Sequence, residues 1–184
     1  EYRPFVINYQ PLILLGRGSS LKDSKPAVDL FVNSFIESKL IAEKRKIPVM
    51  MPSVDISRLN RKFCQAYEGT GFHLSANGSL TACECVIGDD DDSPGKLLTY
   101  GKMTEKEIVI DEEKIGLLKL LTADSIEGCA NCFVRWHCAG GCLNTHLQTS
   151  DDPLGERKHL ECYTARSIVW ETLKMQMQPA TLKK

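Results

Sequence analysis

The stretch that organises the chain is Cys129–Cys142, which reads CANCFVRWHCAGGC. It holds four of the eight cysteines, spaced C-x2-C-x5-C-x3-C. Four sulfur atoms can meet at one metal centre here at a small entropic cost, because only short loops have to close. Gly140 and Gly141 leave room for a bulky centre and present N–H groups that can donate to sulfur. The stretch therefore predicts a metal centre whose remaining ligands come from the rest of the chain.

The composition excludes several classes of function. Of the 184 residues, 42% are hydrophobic and 26% are charged, which is ordinary for a soluble globular chain. The length allows one domain, or one domain and part of another. A net charge of -1 gives no electrostatic basis for binding nucleic acid or an anionic membrane. No apolar run is long enough to span a bilayer. We expect neither nucleic acid nor membrane as a partner.

The even number of cysteines requires a disulfide framework to be weighed against metal binding. Cys83 and Cys85 are two residues apart on a predicted strand, and Cys129 and Cys132 have a spacing that metals favour. Disulfide scaffolds also tend to be shorter and poorer in long amphipathic helices than this chain. The pattern therefore favours a reduced, cytoplasmic protein.

The first fifty residues predict one unit of an α/β fold. Phe5–Leu15 is apolar and partly β-branched, as in a buried strand, with Pro11 marking a break, a bulge or an edge. After a glycine- and serine-rich loop, Pro26 opens a helix with one apolar face, which ends in the charged run 43–46. One such unit cannot form a barrel or a sheet, and the chain begins at Glu1 in what reads as mid-domain sequence. We expect a piece of a longer protein.

A hairpin is predicted in the middle of the chain. The segments 72–75 and 79–82 flank an Asn-Gly pair at 77–78, which favours a type I′ turn because both central positions of that turn need positive φ. We expect the second strand to carry Cys83 and Cys85. Residues two apart on a strand point to the same sheet face, so both thiols could face one centre.

The other predicted elements are less distinctive. The run 89–92 of four aspartates could hold a hard cation, but the turn residues around it favour a solvated loop. The remaining elements are a weak helix at Asp55–Tyr67 that contains Cys64, strands at 96–101 and 108–110, a helix capped by Asp111 that ends at Leu121, a short helix at 143–149, and a last helix from Leu160. Cys162 lies in the first turn of that last helix, where the dipole favours a thiolate.

Two kinds of metal site compete for these cysteines. Structural zinc takes four thiolates, and Cys-x2-Cys is half of a usual zinc knuckle. Iron–sulfur clusters also take four cysteines each, and the spacing alone does not decide between them. The glycine pair favours a cluster, which is wider than one zinc ion. Phe133 and Trp136 are placed to shield a cluster, Arg135 could offset its negative charge, and His137 is more typical of an outer-shell residue than of a ligand.

The cysteines and one glycine together carry a resemblance to a known family. Cys64, Gly78 and Cys83 precede the stretch Cys129–Cys142, and Cys162 follows it. This arrangement resembles the seven-cysteine pattern of the SPASM domain. That domain is the C-terminal auxiliary-cluster module of radical SAM enzymes that modify peptides or proteins, such as the anaerobic sulfatase-maturating enzymes. All seven cysteines and the glycine match at compatible spacing over residues 64–162.

The resemblance implies two [4Fe–4S] clusters. The first would be held by Cys64, Cys83 and Cys142, and the second by Cys129, Cys132, Cys138 and Cys162. In the sulfatase-maturating relatives the fourth ligand of the first cluster is a cysteine upstream of the position of Cys64, and residues 1–63 contain none. Cys85 is the local substitute that we expect. The alternative is an open iron site that could bind a substrate or a water.

The resemblance also implies the fold and the domains. We expect an α+β module in residues 51–184, with a small β-hairpin and helices around two cysteine-ligated metal clusters. Residues 1–50 would be the last strand and helix of the partial TIM-type (α/β) barrel that precedes this module in the family.

The resemblance implies that the chain is an auxiliary module of a larger enzyme. The radical SAM domain of the family needs a C-x3-C-x2-C motif to bind the cluster that cleaves S-adenosylmethionine, and this chain has none. S-adenosylmethionine would bind in a missing N-terminal domain that acts on a peptide or protein substrate, so this part of an oxidoreductase or maturase should be inactive alone. Its clusters would exchange electrons with a donor or acceptor, or engage the substrate. Alternatives are a zinc-stabilised cysteine-rich binding module without a redox role and a stand-alone electron carrier, against which the barrel-like strand and helix argue.

Overall fold

The computed structural model describes residues 3–12, 28–88, 93–157 and 160–177. These residues form a mixed α+β fold, with a small antiparallel sheet and several helices, which confirms the predicted class at that level. The chain divides into two compact units. The first comprises Glu1–Leu59 and Lys158–Lys184, and the second comprises Asn60–Arg157. The predicted boundary at residue 50 divides a barrel fragment from a cluster-binding module, which is a division by function, and it stays a prediction.

The described residues of the first unit form a β-α-β arrangement and one further helix. Strand β1 (Ile7–Asn8) lies parallel to strand β2 (Val49–Met50), and helix α1 (Val28–Lys44) connects them in the chain. Helix α1 packs against the last helix of the chain, α7 (Leu160–Met177). Apolar residues at helical spacing are buried on both helices: Val32, Phe35 and Ala42 on α1, and Ala165, Ile168 and Val169 on α7.

The predictions for the first unit hold for its helices and less well for its strand. Helix α1 ends at Lys44 and α7 begins at Leu160, as the apolar periodicity indicates. The predicted start of α1 at Pro26 lies outside the described residues. Of the strand predicted at Phe5–Leu15, the described residues form a strand only at Ile7–Asn8. Pro11 has no N–H with which to continue the hydrogen-bonded ladder. Residues 13–15 lie outside the described part.

The second unit contains a four-stranded antiparallel sheet covered by short helices. Its strands, in spatial order, are β3 (His73–Leu74), β4 (Ser79–Thr81), β5 (Thr99–Met103) and β6 (Ile108–Ile110). Its helices are α2 (Gln65–Glu68), α3 (Ser93–Leu98), α4 (Glu112–Leu120), α5 (Arg135–Cys138) and α6 (Leu143–Leu147). The core of this unit includes the fully buried side chains Tyr67, Leu80, Leu98, Leu118, Leu121, Ile126 and Leu143.

The hairpin between β3 and β4 is confirmed, but its turn differs from the prediction. Gly78 has φ +85°, whereas Asn77 does not have the positive φ that a type I′ turn needs. Instead, the Gly78 N–H donates to the Ser75 carbonyl (2.9 Å), and the Asn77 side chain accepts from the Ser79 N–H (3.0 Å). Asparagine here acts through its side-chain hydrogen bond and not through its backbone.

Two further elements correct the sequence analysis. The weak helix at Asp55–Tyr67 is limited to α2, because the Asp55 carboxylate accepts the Ser57 N–H (2.9 Å) and closes a local turn that competes with a helix. The strand predicted at 96–101 begins only at Thr99, since α3 occupies the residues before it. Strand β6 and the helix capped by Asp111 are confirmed, and the Asp111 carboxylate accepts the Lys114 N–H (3.0 Å). The aspartate run 89–92 lies outside the described residues.

The position of two cysteines also differs from the prediction. Strand β4 ends at Thr81, so Cys83 and Cys85 lie in the turn that follows it and not on a strand. That turn is closed by a hydrogen bond from the Val86 N–H to the Cys83 carbonyl (3.1 Å). Across the described residues, no helix combines the length and apolar character required to cross a membrane.

Candidate metal centre

Successive turns bring together the first three cysteines of the organising stretch. The Cys132 N–H donates to the Cys129 carbonyl (2.9 Å), and the Arg135 N–H donates to the Cys132 carbonyl (3.2 Å). Helix α5 follows at once and ends at Cys138. Consecutive turns therefore keep the backbone compact over these ten residues, and local hydrogen bonds hold the segments that carry the three thiols.

A left-handed turn then separates Cys138 from Cys142. Ala139, Gly140 and Gly141 have φ values of +47°, +87° and +72°. Such values are uncommon for residues other than glycine. The Gly141 N–H donates to the Cys138 carbonyl (2.9 Å), and a Cβ atom at Gly140 would overlap the Ile126 side chain. The turn ends helix α5 abruptly, and Cys142 becomes the residue that precedes helix α6.

Cys129, Cys132 and Cys138 form what we call the local group. Burial raises the pKa of the Cys138 thiol from 9.0 to about 11. The negative charges that Cys129 and Cys132 would carry as thiolates raise the pKa of Cys138 further, and the Gly140 N–H near its sulfur acts in the opposite direction. Cys129 and Cys132 therefore lie within electrostatic range of Cys138. One glycine of the predicted pair presents its N–H to a cysteine sulfur.

Cys64, Cys83, Cys85 and Cys142 form what we call the dispersed group. Burial raises the pKa of the Cys83 thiol to about 12. Repulsion between thiolates adds to this rise in pKa, and the thiols responsible are those of Cys85, Cys142 and Cys64. Partial burial also raises the pKa of Cys64, although the residue as a whole is exposed, and repulsion from Cys142 adds to that rise. The structure thus places Cys85, Cys142 and Cys64 within electrostatic range of Cys83.

Backbone N–H groups lie near the sulfurs of the dispersed group. The N–H groups of Ala66 and Tyr67, at the start of α2, lower the pKa of Cys64. The Cys64 side chain does not cap this helix with a hydrogen bond of normal geometry. The Cys85 N–H similarly lowers the pKa of Cys83. Amide dipoles that point at sulfur stabilise thiolates and the metal centres they bind.

Cys162 is the remaining cysteine. It lies in the first turn of α7, as predicted, and it belongs to the first unit, whereas the other seven cysteines belong to the second. Its implied assignment to the local group stays a prediction.

The donor set suits a thiophilic metal. All eight cysteines lie in the described residues, and none forms a disulfide. Four thiols, as in the dispersed group, is the number that a structural zinc ion or a [4Fe–4S] cluster takes. A bound cation would remove the repulsion that raises the pKa values of these thiols, so metal binding would release their protons. Within the described residues, no group of three or more His, Cys, Asp and Glu side chains has the arrangement that holds a single metal ion.

Three histidines lie in the described residues. His146 is buried; its Nε2 lies 2.7 Å from the Asp152 carbonyl, and burial lowers its pKa. This hydrogen bond commits one ring nitrogen to the fold. His137, inside the stretch, is half-buried, and His73 belongs to β3. His159 lies outside the described part of the chain.

The two aromatic residues of the stretch are exposed, and its arginine is half-buried. Phe133 and Trp136 are 58% and 41% exposed, so the expectation that they shield a centre is not met. Arg135 stacks over the Trp136 ring, 4.3 Å from its centroid, and its Nε lies 3.5 Å from the Asp124 carboxylate. Because a carboxylate already pairs with this guanidinium, Arg135 has less net charge to offer a metal centre.

Two buried residues that the sequence analysis did not single out contact the left-handed turn. Tyr67 is fully buried, and its hydroxyl donates to the Gly141 carbonyl (2.7 Å). Arg157 is 4% exposed, and its Nε donates to the Gly140 carbonyl (3.1 Å). The pKa of Tyr67 is raised by burial, while the Arg157 charge opposes the rise and the thiolates of Cys142 and Cys64 add to it. No local sequence pattern predicts the role of either residue, because that role depends on burial beside a turn that is distant in sequence.

Comparisons with family models, curated proteins and solved structures found no match to this chain.

Proposed function

We propose that the chain is the auxiliary iron–sulfur module of a radical SAM enzyme that modifies a peptide or protein. The observation that carries the proposal is the grouping of the thiols. Cys142 acts on the pKa values of Cys64 and Cys83, although it follows Cys138 by only four residues. The family resemblance implies this crossing, whereas spacing alone would group Cys142 with Cys138.

The dispersed group would hold the first cluster, with Cys85 as its fourth ligand. The local group would hold the second cluster together with Cys162. When bound, such clusters supply one-electron redox chemistry at a potential that hydrogen bonds, charge and burial adjust. The chain's own contribution is to hold the thiols, to direct backbone N–H groups at their sulfurs, and to exclude water with the core around Tyr67 and Ile126.

The first unit is consistent with a fragment of an α/β barrel. Strands β1 and β2 are parallel and are joined through helix α1, which is the repeating arrangement of such barrels. A radical-generating domain that precedes this unit would supply the S-adenosylmethionine chemistry, and the substrate would be a peptide or protein. An electron donor or acceptor would complete the system.

The first experiment is an anaerobic absorbance spectrum with iron, sulfide and zinc analysis of the same reconstituted sample. We expect a broad band near ~400 nm and about eight irons per chain, four for each of two clusters. A colourless sample that retains about two zinc ions after reconstitution with iron and sulfide would instead favour the zinc-stabilised module.

Cysteine variants sharpen that experiment. Cys83→Ser and Cys138→Ser should each remove roughly half of the iron, since each breaks one of two separate clusters. Ala130→Ser is the matched control, because it adds a hydroxyl at an exposed position between Cys129 and Cys132 and should leave the iron content unchanged. Full iron content and an unchanged melting temperature in both cysteine variants would contradict the proposal.

A further inference from the structure

We propose that Arg157 supplies the buried positive charge that raises the reduction potential of the cluster held by the dispersed group. This inference rests on the proposed function. Its basis is the position of one guanidinium at the turn that separates the two cysteine groups.

Arg157 is held in place by backbone carbonyls. Its Nε donates to Gly140 (3.1 Å), one terminal nitrogen donates to Gly155 (2.9 Å), and the other donates to Pro153 (2.9 Å). The side chain is 4% exposed. Among the described residues, no carboxylate forms an ion pair with it. Carbonyl dipoles satisfy its hydrogen bonds but leave its full positive charge inside the second unit.

The contacts of Arg157 lead directly to the cysteines. Gly140 lies two residues from Cys138 and two residues from Cys142. The next carbonyl along the turn, that of Gly141, accepts from the Tyr67 hydroxyl (2.7 Å). Arg157, Cys142 and Cys64 all act electrostatically on that hydroxyl, so the guanidinium and two thiols of the dispersed group lie within electrostatic range of the same buried side chain.

Arg135 provides the contrast. Its guanidinium lies near the Asp124 carboxylate (3.5 Å) and stacks over the half-exposed Trp136 ring. Its charge is therefore paired with a carboxylate that is itself partly exposed to water. Of these two arginines, Arg157 is the one whose charge acts through a low-dielectric interior, where it is screened least.

The expected effect has a definite sign. Reduction adds an electron to a centre that four thiolates already make negative, and a nearby positive charge stabilises the added electron. Loss of the charge should therefore disfavour reduction. We expect the equilibrium constant for one-electron reduction to fall about tenfold, which corresponds to a potential about 59 mV lower.

The test is a redox titration monitored by electron paramagnetic resonance on the anaerobically reconstituted 184-residue chain. Arg157→Gln removes the charge and Arg157→Lys keeps it. Arg61→Gln is the matched control, because Arg61 is exposed and pairs with Asp124 (3.3 Å). A lower potential in Arg157→Gln, with Arg157→Lys and Arg61→Gln close to the wild type, supports the proposal. Equal potentials in all four proteins overturn it, and so do equally lowered potentials in both Arg157 variants.

A variant that does not assemble still gives a result. If Arg157→Gln contains no iron while Arg157→Lys retains it, the positive charge is needed beside the thiolates, which supports the proposal. If neither variant retains iron, the carbonyl hydrogen bonds are what matters, and the role assigned to the charge is wrong. Failure of the wild type to take up iron and sulfide would overturn the proposed function itself, whereas a loaded wild type with unresponsive variants overturns only the role of Arg157.

Discussion

The local group and the dispersed group are built in different ways. The three cysteines of the local group come from ten consecutive residues, whose turns are closed by backbone hydrogen bonds. The four cysteines of the dispersed group come from three separate segments, around residues 64, 83–85 and 142, which the tertiary fold of the second unit brings within electrostatic range of Cys83. The local group therefore depends on turn geometry, and the dispersed group depends on tertiary packing.

The largest expected effect comes from truncating Tyr67, a core residue of the second unit that lies near the dispersed group. Tyr67→Ala should lower the free energy of unfolding by about 3–5 kcal/mol, as for other large aromatic truncations, because the ring is fully buried. Chemical denaturation of the metal-free protein measures this loss. In the reconstituted protein, iron should be lost from the dispersed group before the local group.

Tyr67→Phe is the matched control for that variant. It keeps the ring and removes only the hydrogen bond to the Gly141 carbonyl, so it should cost about 1 kcal/mol. Equal destabilisation by the two variants would mean that the hydroxyl, and not the packed ring, supports this region.

The next effect comes from the left-handed turn between the two groups. Gly140→Ala should lower the free energy of unfolding by about 1–3 kcal/mol, because alanine is strained at φ +87° and its Cβ would overlap Ile126. Gly116→Ala in helix α4 is the control. That position has open space for a Cβ, and alanine should stabilise the helix by about 0.5–1 kcal/mol. If both variants are neutral in thermal unfolding, the turn does not constrain the thiols as described.

A pH titration of the metal-free protein distinguishes the two groups. The folded-state pKa values of Cys138 and Cys83, about 11 and about 12, lie above the ordinary value of 9.0. The folded protein binds these protons more tightly than the unfolded chain does, so the stabilisation is full below pH 9.0 and is lost as the pH rises through the folded values. We expect the denaturation midpoint to fall from about pH 9, with the loss due to Cys138 complete at about pH 11 and the loss due to Cys83 complete at about pH 12.

Alanine variants identify the source of that pH dependence. Cys138→Ala and Cys83→Ala should each flatten part of the fall in the denaturation midpoint. A midpoint that falls equally in both variants and in the wild type would assign the pH dependence to other groups.

The smallest effect on stability is expected at Cys85. Cys85→Ser should change the unfolding free energy of the metal-free protein by less than about 0.5 kcal/mol, because the residue is exposed. Its iron content should nevertheless fall, though less than that of Cys83→Ser. An iron content and an electron paramagnetic resonance spectrum identical to the wild type would favour the open iron site over ligation by Cys85.

Sequence reasoning was most successful where local physics determines the structure. Apolar periodicity located α1 and α7, the carboxylate of Asp111 marked the start of α4, and the Asn-Gly pair located the hairpin. The division of the thiols that groups Cys142 with Cys64 was predicted from a family pattern, because spacing along the chain gives no reason for it, and it stays a prediction.

The misses have tertiary or competing local causes. Asp55 closes a turn with Ser57 where the pattern indicated a helix, and β4 ends two residues before Cys83. Tyr67 and Arg157 were not predicted as part of the site. Their roles depend on burial against carbonyls of a turn 74 and 17 residues away, and no local pattern encodes such contacts.

The left-handed turn also limits how the length of this chain can vary. Its three residues alone connect Cys138 of the local group to Cys142 of the dispersed group, and both Tyr67 and Arg157 bind its carbonyls. An insertion or a deletion there would displace the Gly141 and Gly140 carbonyls from the Tyr67 hydroxyl and the Arg157 guanidinium that bind them. The exposed turn at Thr104–Glu107, which joins two strands far from any cysteine in sequence, has no such anchors in its described hydrogen bonds and should accept added residues.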